Sequence, residues 1–282
     1  MSIKGFKREF QDRLINEYPI EEINSFFHLL TEDFLGLNRL DLALEPNREF
    51  SAAQKGKLEL ALERLAQHEP IQYIIGKTEF FGLPFRVDQD VLIPRPETEE
   101  LVSWIFEDIK KQGKKKISIL DIGTGSGCIA ISLAKNLPAA SVTAIDVSKT
   151  ALKIANANAR LNKVSVNFLY QDILSSENLP GEYDVIVSNP PYVRELEKQE
   201  MHRNVLENEP HLALYVKDDD PLIFYRKITK LAKTYLSPGG ALYFEINQYL
   251  GEESRELLTN EGFKTRLKKD IFGNFRMLKG DL

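Results

Sequence analysis

Apolar residues recur at spacings of three and four along the first 70 residues of the chain. Phe6, Phe10 and Leu14 show this spacing in one segment, and Ile23 and Phe27 show it in a second. Such a period places the apolar side chains on one face of an α-helix. The pattern therefore predicts a small bundle of helices over residues 1–70.

A capping motif predicts the start of a further helix in this bundle. Ser51 stands three residues before Gln54, a spacing at which each side chain satisfies a free N–H group at a helix start. The helical pattern then continues until shortly before Pro70. No set of residues with an evident chemistry accompanies the two histidines of the segment, His28 and His68, so we expect them to be ordinary surface or core residues.

The period of the pattern changes at Ile71. Two stretches rich in β-forming residues, 71–82 and 83–93, meet at a Gly-Leu-Pro turn and predict a β-hairpin. The hairpin leads into the string Pro-Arg-Pro-Glu-Thr-Glu at residues 94–99, which is rigid because each proline fixes its own φ and restrains the preceding residue. We expect residues 71–95 to connect two domains.

From residue 96 to residue 282 short apolar runs alternate with amphipathic segments. A helix is expected over residues 97–112, followed by the buried runs ISILDIG, SVTAIDVS, VNFLYQD, YDVIVSN and GGALYFEIN, with helical segments between them. This alternation predicts an α/β domain with a doubly wound, mostly parallel sheet. The domain is expected to be Rossmann-like.

Composition narrows the classes of function. The 37 Lys and Arg are outnumbered by 42 Asp and Glu, which gives a net charge of −5, whereas binding nucleic acid requires clustered positive charge. We therefore expect no stable nucleic-acid partner. One cysteine, Cys128, allows no internal disulfide and no metal cluster. No apolar run approaches about 18 residues, and the N-terminus lacks a signal peptide's apolar region, so we expect a cytoplasmic protein without membrane contact.

A glycine-rich turn follows the first buried strand of this domain. Gly123, Gly125 and Gly127 alternate with small polar residues, and Asp146 stands at the end of the next strand. Glycines there allow a tight turn and a close approach of the backbone to a ligand, and the acid is placed to bind ribose hydroxyls. This layout alone would serve NAD as well as S-adenosylmethionine.

Two features favour S-adenosylmethionine. The glycines follow Leu120-Asp121 in a G-x-G-x-G order that resembles the first motif of class I methyltransferases, and no obvious anion-binding charge lies nearby for a pyrophosphate. Asp172 and Ile173 end the third strand, where this fold commonly holds the adenine. A helix-capping role is the alternative for Asp172.

The loop Asn189-Pro190-Pro191-Tyr192 directly follows the fourth strand, at the sheet edge where ligands bind in such folds. An amide or ring NH₂ group is a poor nucleophile because its lone pair is delocalised. Two acceptors, Asn189 Oδ1 and the Pro190 carbonyl, could grip both N–H bonds and turn the lone pair toward a methyl donor. Tyr192 would add a flat apolar face. Methyl transfer of this kind needs no basic residue and no metal.

Several strings together extend the resemblance over nearly the whole chain. They are residues 69–76, 91–99, 121–127 and 188–192, among which the Ile-Pro-Arg-Pro-Glu-Thr-Glu string is the most specific. On these strings the chain resembles the protein-(glutamine-N5) methyltransferases of peptide chain release factors, the PrmC/HemK family. The family architecture is a helical N-terminal domain joined by a β-hairpin to a class I S-adenosylmethionine methyltransferase domain, here residues 1–70, 71–95 and 96–282.

The resemblance implies methylation of the glutamine in the Gly-Gly-Gln motif of class I release factors, with the helical domain recognising the substrate. It implies catalytic roles for Asn189, Pro190 and Tyr192, and a substrate slot shaped by these residues with Pro191, Arg95 and Glu97. The residues implied to contact S-adenosylmethionine are Gly123, Thr124, Gly125, Ser126, Gly127, Asp146, Asp172, Ile173 and Asn189.

Two positions depart from the family pattern. Asn208 stands where relatives often carry an aromatic or similar residue, and Ile173 is aliphatic rather than aromatic.

Two other functions would use the same loop. An adenine N6 methyltransferase acting on nucleic acid is one alternative, although the negative net charge does not favour it. A glutamine methyltransferase acting on a ribosomal protein is the other alternative, and the net charge does not distinguish it from a release factor methyltransferase.

Overall fold

The computed structural model describes residues 2–114 and 116–282 and divides the chain into two compact units. One unit, called here the helical unit, comprises the chain up to residue 76 together with residues 202–208. The other, called the sheet unit, comprises residues 77–201 and 209–282. Among the described residues no helix is both long and apolar enough to cross a lipid bilayer.

The helical unit is built around the aromatic face that the sequence pattern predicts. Phe6, Phe10 and Phe27 are almost fully buried and pack against one another. The predicted capping box is present, because Gln54 N donates to Ser51 Oγ (3.2 Å) and Ser51 N donates to Gln54 Oε1 (3.0 Å). The helices of this N-terminal part are α1 (Ile3–Leu14), α2 (Ile20–Leu35), α3 (Arg39–Leu44), α4 (Ala52–Ala66) and α5 (Ile71–Ile75).

The prediction of β-structure from Ile71 is wrong for its first five residues. The stretch Ile71–Ile75 forms the helix α5. Pro70 directly precedes this helix, and Gly76, in a left-handed conformation, ends it. Ile71 and Ile74, three residues apart, are buried in the helical core. Burial at this helical spacing outweighs the β-propensity of isoleucine, which is a weak preference. The hairpin itself starts at Lys77.

The remaining helices and strands lie between residues 77 and 282, and α9 among them belongs to the helical unit. The helices are α6 (Pro96–Gln112), α7 (Cys128–Asn136), α8 (Lys149–Asn162), α9 (Arg203–Asn208), α10 (His211–Leu214), α11 (Ile223–Tyr235) and α12 (Gly251–Asn260). The strands are β1 (Lys77–Phe80), β2 (Leu83–Arg86), β3 (Ile117–Ile122), β4 (Ala140–Asp146), β5 (Asn167–Tyr170), β6 (Tyr183–Ser188), β7 (Val193–Arg194), β8 (Tyr215–Val216), β9 (Leu236–Glu245), β10 (Lys264–Lys269) and β11 (Phe275–Asp281).

The sheet unit contains a seven-stranded sheet in the order β10-β11-β9-β6-β3-β4-β5. Its strands β9, β6, β3, β4 and β5 are parallel, and β11 and β10 are antiparallel to their neighbours. Alternate residues point to opposite faces, so Ile119 packs into one core with α6 and α7 while Leu120 packs into another with α11 and α12. The predicted doubly wound, mostly parallel sheet is confirmed.

Two parts of the chain after residue 76 were not predicted from the pattern. Strand β10, with the sequence KTRLKK, carries four basic residues and no apolar alternation. It lies at the edge of the sheet, where charged side chains reach solvent and oppose pairing with other chains. The segment between β6 and α11 consists of elements of two to six residues, which are too short for a period to emerge.

The order of the strands determines where a ligand can bind. The chain passes from β3 outward to β4 and β5, and then returns to β6 on the other side of β3. At such a reversal the loops after neighbouring strands diverge and leave a crevice at their carboxyl ends. The loops that follow β3 and β6 therefore flank this crevice.

Candidate active site

A cavity of about 480 Å³ lies at this edge of the sheet. The segments that follow β3, β4, β5 and β6 line it, together with residues in and around the Pro-Arg-Pro string. Its volume is in the usual range for small-molecule sites. Of the residues that the sequence assigned to the site, the following line it: Arg95, Gly123, Thr124, Gly125, Ser126, Asp146, Asp172, Ile173, Asn189, Pro190 and Pro191.

The glycines after β3 serve two different purposes. Gly123 and Gly125 have positive φ, at +74° and +53°, and a Cβ atom at either would meet no protein atom within 4 Å. They leave open space beside the backbone where a ligand can approach. Gly127 lies outside the cavity lining, and a Cβ there would come 2.8 Å from Ile131 and 3.2 Å from Ala155. Its role in this structure is close packing, and its predicted cofactor contact stays a prediction.

Asp146 at the end of β4 connects the glycine turn to the next helix. Its Oδ2 accepts from Gly125 N and its Oδ1 accepts from Ser148 N, each at 2.8 Å. A carboxylate has about four acceptor positions, so both oxygens retain room for hydroxyl donors. Burial raises the pKa of Asp146. The acid is thus held in place by the backbone and has acceptor capacity left for a ribose.

The other predicted cofactor residues complete a lining that fits a nucleoside with a polar tail. Ile173 is almost fully buried, and Asp172 Oδ1 accepts from Leu174 N at 3.0 Å. The Ser126 hydroxyl is buried and has no hydrogen-bond partner among the residues that the structure describes. Buried polar groups are normally satisfied, so this hydroxyl suits a ligand atom. The open glycine turn, Asp146 and Ser126 together fit S-adenosylmethionine.

The loop after β6 is tied to the glycine turn on one side and to α6 on the other. The Ser188 hydroxyl donates to the carbonyl of Ile122 at 2.7 Å, which holds the ends of the two strands together. Asn189 Nδ2 donates to Thr98 Oγ1 at 3.4 Å. The amide oxygen of Asn189 therefore remains as a hydrogen-bond acceptor beside Pro190 in the cavity wall.

Glu245, at the end of β9, lies behind this loop and was not found from the sequence. Its side chain is 1% exposed. Thr98 Oγ1 donates to its Oε2 at 2.6 Å, and the Tyr192 hydroxyl donates to its Oε1 at 2.9 Å. Burial raises the pKa of Glu245. Thr98 belongs to the string that the sequence singled out, but its partner is 147 residues away, a pairing that no local pattern reveals.

Tyr192 does not line the cavity. Its ring packs against the core that contains α11, its hydroxyl binds Glu245, and its carbonyl accepts from Asn247 Nδ2 at 3.0 Å. Asn247 Nδ2 also donates to Glu197, with 2.9 Å to Oε2. The predicted contact of Tyr192 with substrate stays a prediction. In this structure the residue anchors the end of the loop.

Arg95 and Glu97 are placed differently, although only one residue separates them. Arg95 lines the cavity, and its Nη2 donates to Glu209 Oε1 at 2.5 Å. Glu209 is 3% exposed, and its Oε2 accepts from Ile93 N at 3.4 Å, so one carboxylate holds both ends of this turn. Glu97 lies in the first turn of α6 and outside the cavity lining.

Comparison with protein families identifies both parts of the chain. Residues 8–76 match the model of the PrmC N-terminal domain. Residues 102–214 match the model of the methyltransferase small domain. The first match covers most of the N-terminal part of the helical unit, and the second contains the glycine turn and the loop after β6.

Comparison with individual proteins extends the similarity over the full chain. A release factor glutamine methyltransferase from Flavobacterium psychrophilum is 57% identical over 281 residues, which are 99% of each chain. One from Bacteroides thetaiotaomicron is 50% identical over 263 residues, 93% of each chain. Among solved structures, a methyltransferase from Pyrococcus furiosus has a TM-score of 0.51 at 18% identity, covering 82% of this chain and 98% of its own. That likeness concerns the fold alone.

Proposed function

Because this chain belongs to the release factor glutamine methyltransferase family, we propose that it methylates the side-chain amide nitrogen (N5) of a glutamine, taking the methyl group from S-adenosylmethionine. The substrate is the glutamine of the Gly-Gly-Gln motif in class I release factors. The observation that carries the proposal is the fixed amide of Asn189, whose nitrogen is bonded to Thr98 while its oxygen is left as an acceptor beside the cavity.

The residues around the glycine turn would hold the cofactor. Gly123 and Gly125 give the backbone open access to it, Asp146 would accept from the ribose hydroxyls, and Asp172 with Ile173 would bind the adenine. When bound, S-adenosylmethionine supplies a methyl group on a positively charged sulfur. The Ser126 hydroxyl is available for a polar atom of the cofactor.

The loop after β6 would orient the glutamine. Asn189 Oδ1 and the Pro190 carbonyl are acceptors, and together they would bind both hydrogens of the glutamine NH₂ group. Fixing both N–H bonds turns the nitrogen lone pair toward the methyl donor and stabilises the positive charge that develops on nitrogen, because the acceptor dipoles are already oriented. Once the methyl group has been transferred, the glutamine nitrogen loses its extra proton to a nearby acceptor or to water. No general base is therefore required.

We further propose that the helical unit docks the release factor and that the protein acts in the cytoplasm. The helical unit matches a domain model found in this family. Lys and Arg are fewer than Asp and Glu in the whole chain, which favours a protein substrate over a nucleic acid. The interface residues on the helical unit are left open by this proposal.

The test is a methylation assay with purified protein, labelled S-adenosylmethionine and a class I release factor. We expect label on the glutamine of the Gly-Gly-Gln motif, located by mass spectrometry of the proteolysed factor. A factor in which that glutamine is replaced by alanine is the control and should remain unlabelled. Label on a ribosomal protein or on RNA, with none on the release factor, would replace this substrate with one of the two alternatives.

A further inference from the structure

A chain of hydrogen bonds runs from the buried interior to the loop after β6. It starts at the Glu245 carboxylate, passes through the Thr98 hydroxyl and ends at the Asn189 amide, with distances of 2.6 Å and 3.4 Å. These three residues come from β9, α6 and the loop after β6, and all of them lie in the sheet unit. We infer that Glu245 is a positioning residue for methyl transfer, which acts through Thr98 to decide which end of the Asn189 amide faces the substrate.

The Thr98 hydroxyl gives its single hydrogen to Glu245. A hydroxyl has one hydrogen to donate and two lone pairs to accept with. Glu245 Oε2 lies at 2.6 Å, a distance typical of a strong bond from a hydroxyl to a carboxylate. In this bond Thr98 Oγ1 is the donor and Glu245 Oε2 is the acceptor, so the one hydrogen of the hydroxyl is engaged by Glu245.

The bond from Thr98 to Glu245 determines which end of the Asn189 amide can face Thr98. With its hydrogen directed to Glu245, Thr98 Oγ1 offers only lone pairs to its other neighbour. The end of the Asn189 amide that faces Thr98 must therefore be the nitrogen, which is the arrangement observed. Its oxygen is then directed away from Thr98. If the amide were turned around, the nitrogen would face the substrate NH₂ group, and two donors would oppose each other.

Glu245 accepts a hydrogen bond at each of its two carboxylate oxygens. The Tyr192 hydroxyl donates to Oε1 at 2.9 Å, so each oxygen receives a hydrogen from a different hydroxyl. Burial raises the pKa of Glu245, and the hydrogen bonds from Thr98 and Tyr192 and the positive charge of Arg276 oppose that rise. A carboxylate that receives two hydroxyls in this way orients both at once, one toward Asn189 and the other at the end of the loop.

The inference rests on the proposed function and is tested by substitutions at Thr98. Thr98→Val keeps the shape of the side chain and removes the hydroxyl, whereas Thr98→Ser keeps the hydroxyl and removes the methyl group. The matched control is Tyr225→Phe, which removes another buried hydroxyl bound to Glu245, but at the backbone carbonyl (3.2 Å) and outside the chain that leads to Asn189.

We expect Thr98→Val to lower kcat for release-factor methylation about 100-fold, the loss typical of one misplaced hydrogen-bonding group in an active site. Its dissociation constant for S-adenosylmethionine should stay within about threefold of the wild type, because the lost bond acts on the acceptor of the glutamine. Thr98→Ser should restore most of the turnover. Tyr225→Phe should lower the melting temperature while keeping kcat close to the wild-type value.

The second variant, Glu245→Gln, tests whether the carboxylate at the start of this series of hydrogen bonds is needed for turnover. In glutamine an NH₂ group replaces one of the two oxygens of glutamate, and the Thr98 and Tyr192 hydroxyls bond different oxygens, so one of the two hydroxyls then faces a donor. We expect kcat to fall here too, with cofactor affinity retained. If Thr98→Val turns over within about threefold of the wild type, or if it loses activity only as much as Tyr225→Phe, the positioning role is refuted. Failure of the wild type to label the release factor would instead refute the proposed function.

Discussion

Asn189 gains its chemistry from the groups around it more than from its own type. An asparagine amide offers a donor end and an acceptor end of nearly equal size, and only its partners determine which end meets a substrate. Here the nitrogen is bound by Thr98. The sequence indicated Asn189 because it directly follows a buried strand, at the edge where ligands bind.

Replacing Asn189 with alanine removes one of the two acceptors proposed for the glutamine NH₂ group. We expect kcat to fall by about 100- to 1,000-fold, because the lone pair of the substrate nitrogen is no longer directed at the methyl donor. Cofactor affinity, measured by isothermal titration calorimetry, should change by less than about threefold. Loss of cofactor binding with an intact fold would show that Asn189 belongs to the cofactor site instead.

The packing of α7 against α8 depends on the absence of a side chain at Gly127. A Cβ atom there would approach Ile131 of α7 to 2.8 Å and Ala155 of α8 to 3.2 Å, at a φ of +83°. The five residues of the glycine turn therefore serve both ligand access and helix packing. Its first two glycines keep space open beside the cavity, and its third brings two helices together.

We expect Gly127→Ala to lower the free energy of unfolding by about 2 to 5 kcal/mol, the sum of left-handed strain and overpacking. Gly273→Ala is a matched control, because Gly273 has a similar φ of +87° and no atom within 4 Å of the added Cβ. That variant should lose only the strain, about 1 to 2 kcal/mol. Equal losses in urea unfolding would contradict the packing role of Gly127.

The elements that the sequence predicted are those with a long, regular pattern. The helices around Phe10 and Phe27 and the buried strands of the parallel sheet repeat their period over enough residues to identify them. Ile71–Ile75 is too short for this, and its apolar composition suits a strand and a buried helix equally. The bond between Thr98 and Glu245 joins residues 147 positions apart, so only the folded chain reveals it.

The charge state of the buried carboxyls makes the stability of the whole molecule depend on pH. Burial raises the pKa of Asp121, at the end of β3, to about 7, whereas in an unfolded chain it titrates near its ordinary value of about 4. A carboxyl with a raised pKa contributes stability that is complete below about pH 4 and is lost as the pH rises through about 7. Asp108 and Asp184 have lowered pKa values, so they titrate below this window.

Between pH 4 and pH 8 we expect the free energy of unfolding of the wild type to fall by about 4 kcal/mol more than that of Asp121→Asn. The asparagine amide does not ionise, so the variant has no charge to bury at this position. Trp104 is the single tryptophan of the chain and lies in the core of the sheet unit, so its fluorescence follows the unfolding of that unit. Urea titrations at several pH values give the free energy of unfolding as a function of pH for the wild type and for Asp121→Asn. Parallel curves would mean that Asp121 is ionised at the same pH in both states.

The assignment of residues 202–208 to the helical unit has a consequence for how such proteins can be recombined. Asn208 Nδ2 donates to the carbonyl of His68 at 3.0 Å, and Arg203 Nη1 lies 3.1 Å from His68 Nε2. A chimera that exchanges only the N-terminal part, up to Gly76, would combine a foreign bundle with the original α9. Homologous domains can therefore be shuffled as intact modules only if two separate stretches of the gene are transferred together.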